Sequence, residues 1–411
     1  MKKSNLQEQL VEDVRLQKSV NVCFRFATFR TMMKSIVFIL IIMGMKPLTG
    51  QESKLPFVYD DGTTRIKVGG YVQASVAYDF EGAIENHDFI VSTLPVPENW
   101  KQQERLAIDA TPSRVHLDVT HRTNSIGDIK FFMETDFRGA SNVLRLRHAY
   151  ISLLGFTAGQ TWSFMYDNDG MAPTIDVQGV NSRSYFRTPL VGYTYRFGKN
   201  FSVGIAAEMP NAKITQTEQI ISVRQTTPDI PAFVQYKASK GHLKLAGVFR
   251  NINYGCKEDE NIKSKNGWGA QLTGSIKPVS FLTIYGQGIY GQGIGRYIND
   301  LAAQSLDLLP DASNPHNADA LTMYGASVGL RADFSKKIYM TSNFSIAELD
   351  KNEKFIQNSD YQSGKYVSAT LFWRAYPNLT LAAEYLYGYR KNMDCNYGDA
   401  NRVQAMIRYN F

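Results

Sequence analysis

Arg145 and Arg147 stand two residues apart in the run LRLRHAY at positions 144–150. On an extended chain both side chains therefore leave the same face. A guanidinium fork holds a carboxylate or phosphate bidentately and stays charged at any relevant pH. Neighbouring runs add Arg114, Arg138, Arg196, Arg250, Arg331, Arg374 and Arg408 as candidates for one solute-lining surface, and Arg122, Lys130, Lys237, Lys244, Lys277, Arg390 and Arg402 extend it. Against these sixteen cations the corresponding faces offer seven carboxylates: Asp109, Asp118, Glu134, Asp136, Glu208, Asp333 and Glu384. In a narrow passage with low-dielectric walls such an excess concentrates anions. Arginines opposite Glu134 and Asp136 serve equally well as struts that hold a wall apart through ion pairs, and the residues alone leave both readings open.

A second concentration of charge lies in the segment 166–187, which carries Asp167, Asp169 and Asp176 together with Arg183 and Arg187. A loop folded into the bore of a large barrel narrows it, and carboxylates facing arginines there would set up a transverse field. The plainer alternative is a solvated surface loop.

Signals of other chemistry are weak. Residues 286–291 read GQGIYG and satisfy G-x-G-x-x-G, but no helix pattern follows, so nucleotide binding is not expected. The run DNDG at 167–170 resembles the start of a calcium loop without its terminal Glu. No metal and no cofactor are expected. His148 and Ser152 read as sharing the lipid-side parity, and four residues of strand separate them by roughly 13 Å. A lipase-like barrel enzyme, which needs a nucleophile beside its base, and a structural or adhesive barrel are the rival readings.

The elements that would position these residues are strands. From Thr64 onward, apolar and polar residues alternate: Ile66, Val68, Gly70, Val72, Ala74, Val76, Tyr78 and Phe80 fall on one face, with Lys67, Tyr71, Gln73, Ser75 and Asp79 on the other. The last ten residues repeat this without a fault, Val403, Ala405, Ile407, Tyr409 and Phe411 opposing Arg402, Gln404, Met406, Arg408 and Asn410. Similar runs near 103–122, 128–138, 143–153, 156–164, 188–197, 201–209, 229–238, 242–253, 267–277, 280–291, 321–334, 338–347, 365–376 and 379–390 bring the total to sixteen. In the second run the parity flips across Pro112, where a bulge costs no ladder hydrogen bond. Short turns at 124–127, 198–200, 240–241 and 335–337 alternate with long polar segments at 81–102, 166–187, 211–228, 255–266, 293–319 and 350–363. The expected fold class is all-β: a transmembrane antiparallel up-and-down β-barrel of about 16 strands, with short periplasmic turns and long outer loops.

Each such strand gives only half its residues to lipid, so a composition of 44% apolar residues is no obstacle, and the load of 23 Tyr and 23 Phe suits interfacial girdles. Residues 1–50 read as a leader carrying an export signal, with a short apolar run at 35–45 and Met32 as a natural start. Residues 51–63 would form a short periplasmic lead-in and 64–411 the barrel. The leader holds eight Lys/Arg and three Asp/Glu; without it 37 basic residues face 35 acidic ones and the charge falls from +7 to +2, so nucleic acid is not an expected partner. Cys256 and Cys395 remain, bonded or free.

Ser113-Arg114, the stretch ETDF at 134–137, LRLRHAY at 144–150, GQTWS at 159–163 and the terminal Tyr409-Asn410-Phe411 together resemble the DcaP-like trimeric outer-membrane porins. The resemblance runs over nearly all of the chain after the leader. It implies a sixteen-stranded barrel in outer-membrane lipid, a homotrimer, passive diffusion of small, mostly anionic solutes, and delivery to the barrel-assembly machinery through Tyr409 and Phe411. The chain departs from some relatives in having no helical coiled-coil pattern ahead of the first strand.

Overall fold

The structure, a computed structural model, describes residues 57–82, 87–97, 102, 104–311, 313–350 and 360–411. Residues 1–56, and with them the leader and the start at Met32, lie outside the described residues. In chain order the strands are β1 (Val58–Asp60), β2 (Thr64–Glu81), β3 (Arg105–Asp109), β4 (Arg114–Thr123), β5 (Gly127–Asp136), β6 (Arg145–Leu153), β7 (Phe156–Trp162), β8 (Arg187–Phe197), β9 (Phe201–Glu208), β10 (Ile220–Ser222) and β11 (Ile230–Ala238). They continue with β12 (Gly241–Cys256), β13 (Asn261–Val279), β14 (Leu282–Gln292), β15 (Leu309–Asp311), β16 (Asn314–Asp319), β17 (Thr322–Asp333), β18 (Ile338–Leu349), β19 (Tyr361–Tyr376), β20 (Leu379–Asn392) and β21 (Tyr397–Asn410).

Every long strand pairs antiparallel with its neighbour in the chain, and β21 pairs back onto β2 from Tyr71↔Asn410 to Glu81↔Asn401. The sheet is therefore a closed ring. With β3 and β4 sharing one stave, the short β1 and β10 only extending the pairing of β2 and β12 at their ends, and β15 and β16 forming a separate hairpin, the ring has the sixteen staves expected from alternation. Closure leaves no free edge, which a bilayer requires because lipid satisfies no backbone N–H or C=O.

The apolar parity faces outward: Ile108 is 74% exposed and Val191 61%, whereas the inward Gln73 is 1% exposed. In hydrocarbon each large outward side chain gains about 1.5–3 kcal/mol over exposure to water, and this fixes the register. The parity flip at Pro112 is real. The ladder breaks between Asp109 and Arg114, Asp109 Oδ1 accepts from Thr111 N (2.8 Å) and its hydroxyl (2.6 Å), and Leu106 and Val115 both remain outward.

The short turns follow local rules. Leu154 (φ 51) and Gly155 (φ 88) make a two-residue turn between β6 and β7, and Gly198 (φ 64) serves that end of β8. One long segment differs from expectation: 255–266 is mostly strand, since β12 and β13 run on as a hairpin as far as Cys256↔Asn261. Inside the ring, loop residues Phe89, Val91 and Leu94 bury against Val180, Tyr366, Leu386 and Ala400. Ile294, Tyr297, Ile298 and Leu301 join a second interior cluster with Met165, Met323 and Leu349. The loops thus fill the side of the lumen lined by the later staves.

Candidate functional site: a loop-narrowed lumen with an arginine nest

The segment 163–186 is pinned along the inner wall from end to end. Glu208 accepts from Phe164 N (2.8 Å), Lys244 Nζ donates to the Tyr166 carbonyl (2.6 Å), and Thr341 Oγ1 donates to the Pro173 carbonyl (2.7 Å). Glu384 accepts from Ile175 N (2.9 Å) and Asp176 N (2.8 Å), and Ser345 Oγ donates to Asn181 Oδ1 (2.6 Å). These anchors sit on β9, β12, β18 and β20, so the loop lies against the later staves and faces the wall of β2 to β8. The segment is folded inward.

Its carboxylates do not form one side of a transverse field. Asp167 is buried, accepting from His242 Nε2 (2.7 Å) and from the Thr273 hydroxyl. Asp169 pairs with Lys237 (2.5 Å). Asp176 is 5% exposed and accepts from Phe89 N (3.2 Å), Gly179 N (3.0 Å) and the Tyr366 hydroxyl (3.1 Å). Burial, with Asp88 and Glu384 nearby, pushes the Asp176 carboxyl up to about 7. Short polar side chains in a loop are consumed by its own anchoring, which sequence parity cannot foresee.

The loop's arginines lie over aromatic rings instead of pairing with these carboxylates. The Arg183 guanidinium carbon lies 3.4 Å from the Tyr185 ring centre, and that of Arg187 4.6 Å from the Trp162 ring. Burial raises the Tyr185 phenol, but the guanidiniums of Arg183, Arg147, Arg114 and Arg187 outweigh it and hold the group below its ordinary value. Four cations thus converge where an anion is stabilised. Across the bore, Arg147 bonds Glu134 (2.6 Å) and Asp136 (3.0 Å), and Arg145 bonds Asp136 through Nε (2.9 Å) and Nη2 (2.7 Å). Arg114 only grazes Glu134 at 3.5 Å. Arg114 Nε, Arg183 Nε and Arg187 Nη1 are buried with no acceptor among the described residues.

Other expected lining residues divide by role. Arg408 donates to Gln73 Oε1 (2.9 and 2.6 Å), Arg331 pairs with Asp333 (2.7 Å), and Arg331 and Arg374 both lie over the Tyr339 ring at 4.0 and 5.0 Å. Arg196 is exposed beside the short turn after β8, away from the nest. Arg138 and Arg250 are not free pore cations. Arg138 clamps Asp88 and Asp109, and Arg250, 1% exposed, clasps Asp229 (3.1 Å) and Asp307 (2.7 Å). Both tie outer loops to the wall, where a buried carboxylate demands a partner.

His148 and Ser152 correct a second expectation. The ladder between β5 and β6 slips between Glu134 and Thr135, leaving Arg147 unpaired in the register, and this bulge turns His148 inward. His148 is 6% exposed and accompanies Phe132 and Trp162 in a row of lumen rings that continues to Tyr166 and Tyr185. Sequence reading missed this row, although GQTWS at 159–163 placed Trp162 at the edge of the loop. Ser275, His242 and Asp167 are linked at 2.9 and 2.7 Å in the order of a nucleophile, base and orienting acid. Ser275 lies mid-sheet, with its strand paired on both sides, so the ladder consumes the backbone N–H groups an oxyanion would need. This cluster is a latch for the loop. Cys256 and Cys395 are both free thiols.

A family profile described as the porin subfamily matches residues 56–410. The chain belongs to the porin subfamily. Among solved structures, the outer membrane channel DcaP of Acinetobacter baumannii is similar at 21% identity and TM-score 0.73, covering 89% of this chain and 100% of that one. An anion-selective porin from Comamonas acidovorans follows at 11% identity and TM-score 0.57, covering 85% and 100%, and OmpT of Vibrio cholerae at 11% and 0.55, covering 86% and 99%. At such identities the likeness is one of fold. No curated protein matches the sequence. This porin is an integral outer-membrane channel, its greasy face in lipid and its polar face around a loop-narrowed bore.

Proposed function

We propose that this porin passes small hydrophilic solutes by passive diffusion and prefers anions. The observation that carries the reading is the nest of Arg114, Arg147, Arg183 and Arg187 around Tyr185, whose four cations, five with Arg145, outnumber the nearby Glu134 and Asp136. Arg145 and Arg147 are the struts, and the half-buried guanidiniums of Arg114, Arg183 and Arg187, without a close carboxylate among the described residues, are left to attract the solute. A cation about 6 Å from a passing anion contributes on the order of 1–3 kcal/mol where water is partly excluded. The anion-selective Comamonas acidovorans porin shares the fold and lends support.

The decisive measurement is the reversal potential in a potassium chloride gradient across a planar bilayer. Chloride preference is expected, falling in Arg183→Gln, Arg187→Gln; an unselective or cation-selective wild type overturns the reading. We read the assembly as a homotrimer, supported by the trimer form described for OmpT of Vibrio cholerae, and native mass spectrometry in detergent tests it. Residues 1–50 are read as a removed export leader, with outer-membrane lipid around the barrel and Tyr409 and Phe411 offered to the barrel-assembly machinery; the amino-terminal mass of the membrane-inserted protein tests the first of these.

A further inference from the structure

The connection from β14 to β17 enters the lumen behind the loop arginines. Ile294, Tyr297, Ile298 and Leu301 bury into the interior cluster with Met165 and Met323, and one turn of 3-10 helix, Gly295–Tyr297, keeps them close together. Arg296, Asn299 and Asp300 are thereby brought onto residues 178–188. Asn299 N donates to the Arg183 carbonyl (2.9 Å) and Asp300 N to the Asn181 carbonyl (3.0 Å). The Asn299 side chain, 7% exposed, spends its whole amide on the same turn: Nδ2 donates to the carbonyls of Gln178 (3.0 Å) and Val180 (3.3 Å), and Oδ1 accepts from Gln178 Nε2 (2.7 Å). The positions in between carry Arg183. Its Nη2 donates to the Val177 carbonyl (2.9 Å), and Gly179, at φ 66, passes so close that a Cβ there would stand 3.1 Å from the guanidinium carbon. Residues 177 and 179 thus hold the guanidinium, while 178 and 180 are held by Asn299. At the far end of the loop Arg296 donates through Nη2 to the Thr188 hydroxyl (2.8 Å) and lies over the Phe186 ring at 4.4 Å, bracing both chain neighbours of Arg187.

We propose that Asn299 is a positioning residue for anion selectivity, which acts through the turn 177–183 to hold the Arg183 guanidinium over Tyr185 in the nest. The proposal deepens the anion-channel reading and rests on it. Carbonyls that lose their donor inside a packed loop turn toward water, and the turn that rotates to let them do so takes the Val177 carbonyl and the guanidinium with it. A cation that swings away from the passage attracts a passing anion less, because the interaction falls with distance and falls further where water enters.

The test is the chloride-to-potassium permeability ratio, from reversal potentials across a planar bilayer, for Asn299→Ala and Asn299→Leu, each alone and combined with Arg183→Gln. Both substitutions are neutral, and the second nearly keeps the volume. Each alone should lower the ratio about twofold or more. Combined with Arg183→Gln, neither should lower it below the value of Arg183→Gln alone, since a residue that works through Arg183 has nothing left to position. Asn299 belongs to no stave, so the ring closes without it; should these variants not insert, Gln178→Ala removes the partner of the amide from the loop side and gives the same comparison. A ratio unchanged by the Asn299 variants, or lowered equally in both backgrounds, overturns the proposal, as does a chloride-preferring wild type that Arg183→Gln leaves unaltered. If Arg183→Gln lowers the ratio and the Asn299 variants lower only the unfolding temperature, Asn299 is a structural brace and the nest survives. A wild type without chloride preference removes both.

Discussion

Arg147 and Arg183 show how one residue type takes two tasks in the same lumen. Arg147 is enclosed between Glu134 and Asp136, and removing one partner of such a buried set leaves the others uncompensated at a cost of about 3–5 kcal/mol. Arg147→Ala should therefore lower the unfolding temperature measured by circular dichroism in detergent. Arg183→Gln should hardly move it, because its contacts are a ring face and one loop carbonyl. Asp176 supplies a pH dependence. Its carboxyl, near 7 when docked against an ordinary 3.8, binds its proton more tightly in the docked loop than in a released one. Docking is thus strongest below about pH 4 and weakens as pH rises from there to about 7. Proteolytic cleavage within 166–187 should be faster at pH 8 than at pH 5, and Asp176→Asn should remove the difference.

At the scale of elements, the segment 163–186 and the bulges at Pro112 and Arg147 decide the shape of the bore. The loop is held by many separate bonds to β9, β12, β18 and β20, so no single anchor controls it. Deleting 168–182 should raise single-channel conductance severalfold, and an unchanged conductance would show that the segment does not narrow the passage. His242→Ala removes the latch on Asp167 alone, and should give open-state current noise with a smaller rise in mean conductance. The Pro112 break was legible because proline and a parity flip coincide there. The Arg147 bulge was not, since no residue in LRLRHAY advertises it, and His148 was accordingly assigned to lipid.

For the whole molecule, the seam between β2 and β21 is the closing bond of the ring. Phe411 N donates to the Gly70 carbonyl (3.1 Å), and Gly70 N to the Phe411 carbonyl (3.2 Å). A side chain at position 70 would meet the Arg114 carbonyl oxygen of β4, the other neighbour of β2, at 2.1 Å and the Phe411 ring at 3.0 Å, so β2 admits only glycine there. Gly70→Val should slow insertion into lipid vesicles, followed as the shift in gel mobility between heated and unheated protein. The partition inside the ring also belongs to this scale. Loops from three connections pack on the later staves, as Phe89 does on Tyr366, and on one another, as Ser92 N does on Asp300 Oδ1 (2.8 Å), which leaves the passage to the opposite wall.

The sequence by itself determined the staves, the ring and, away from the Arg147 bulge, the parity, because period two and the contrast between lipid and water act on each strand locally. Only the tertiary structure decided which cations carboxylates neutralise. Arg138 and Arg250 became clamps, Asp167 and Asp176 became anchors, and Arg183 and Arg187 came to lie over aromatic rings. A buried charge must find a partner from whichever element packs against it, and that neighbour is set by the folding of distant loops rather than by spacing along the chain.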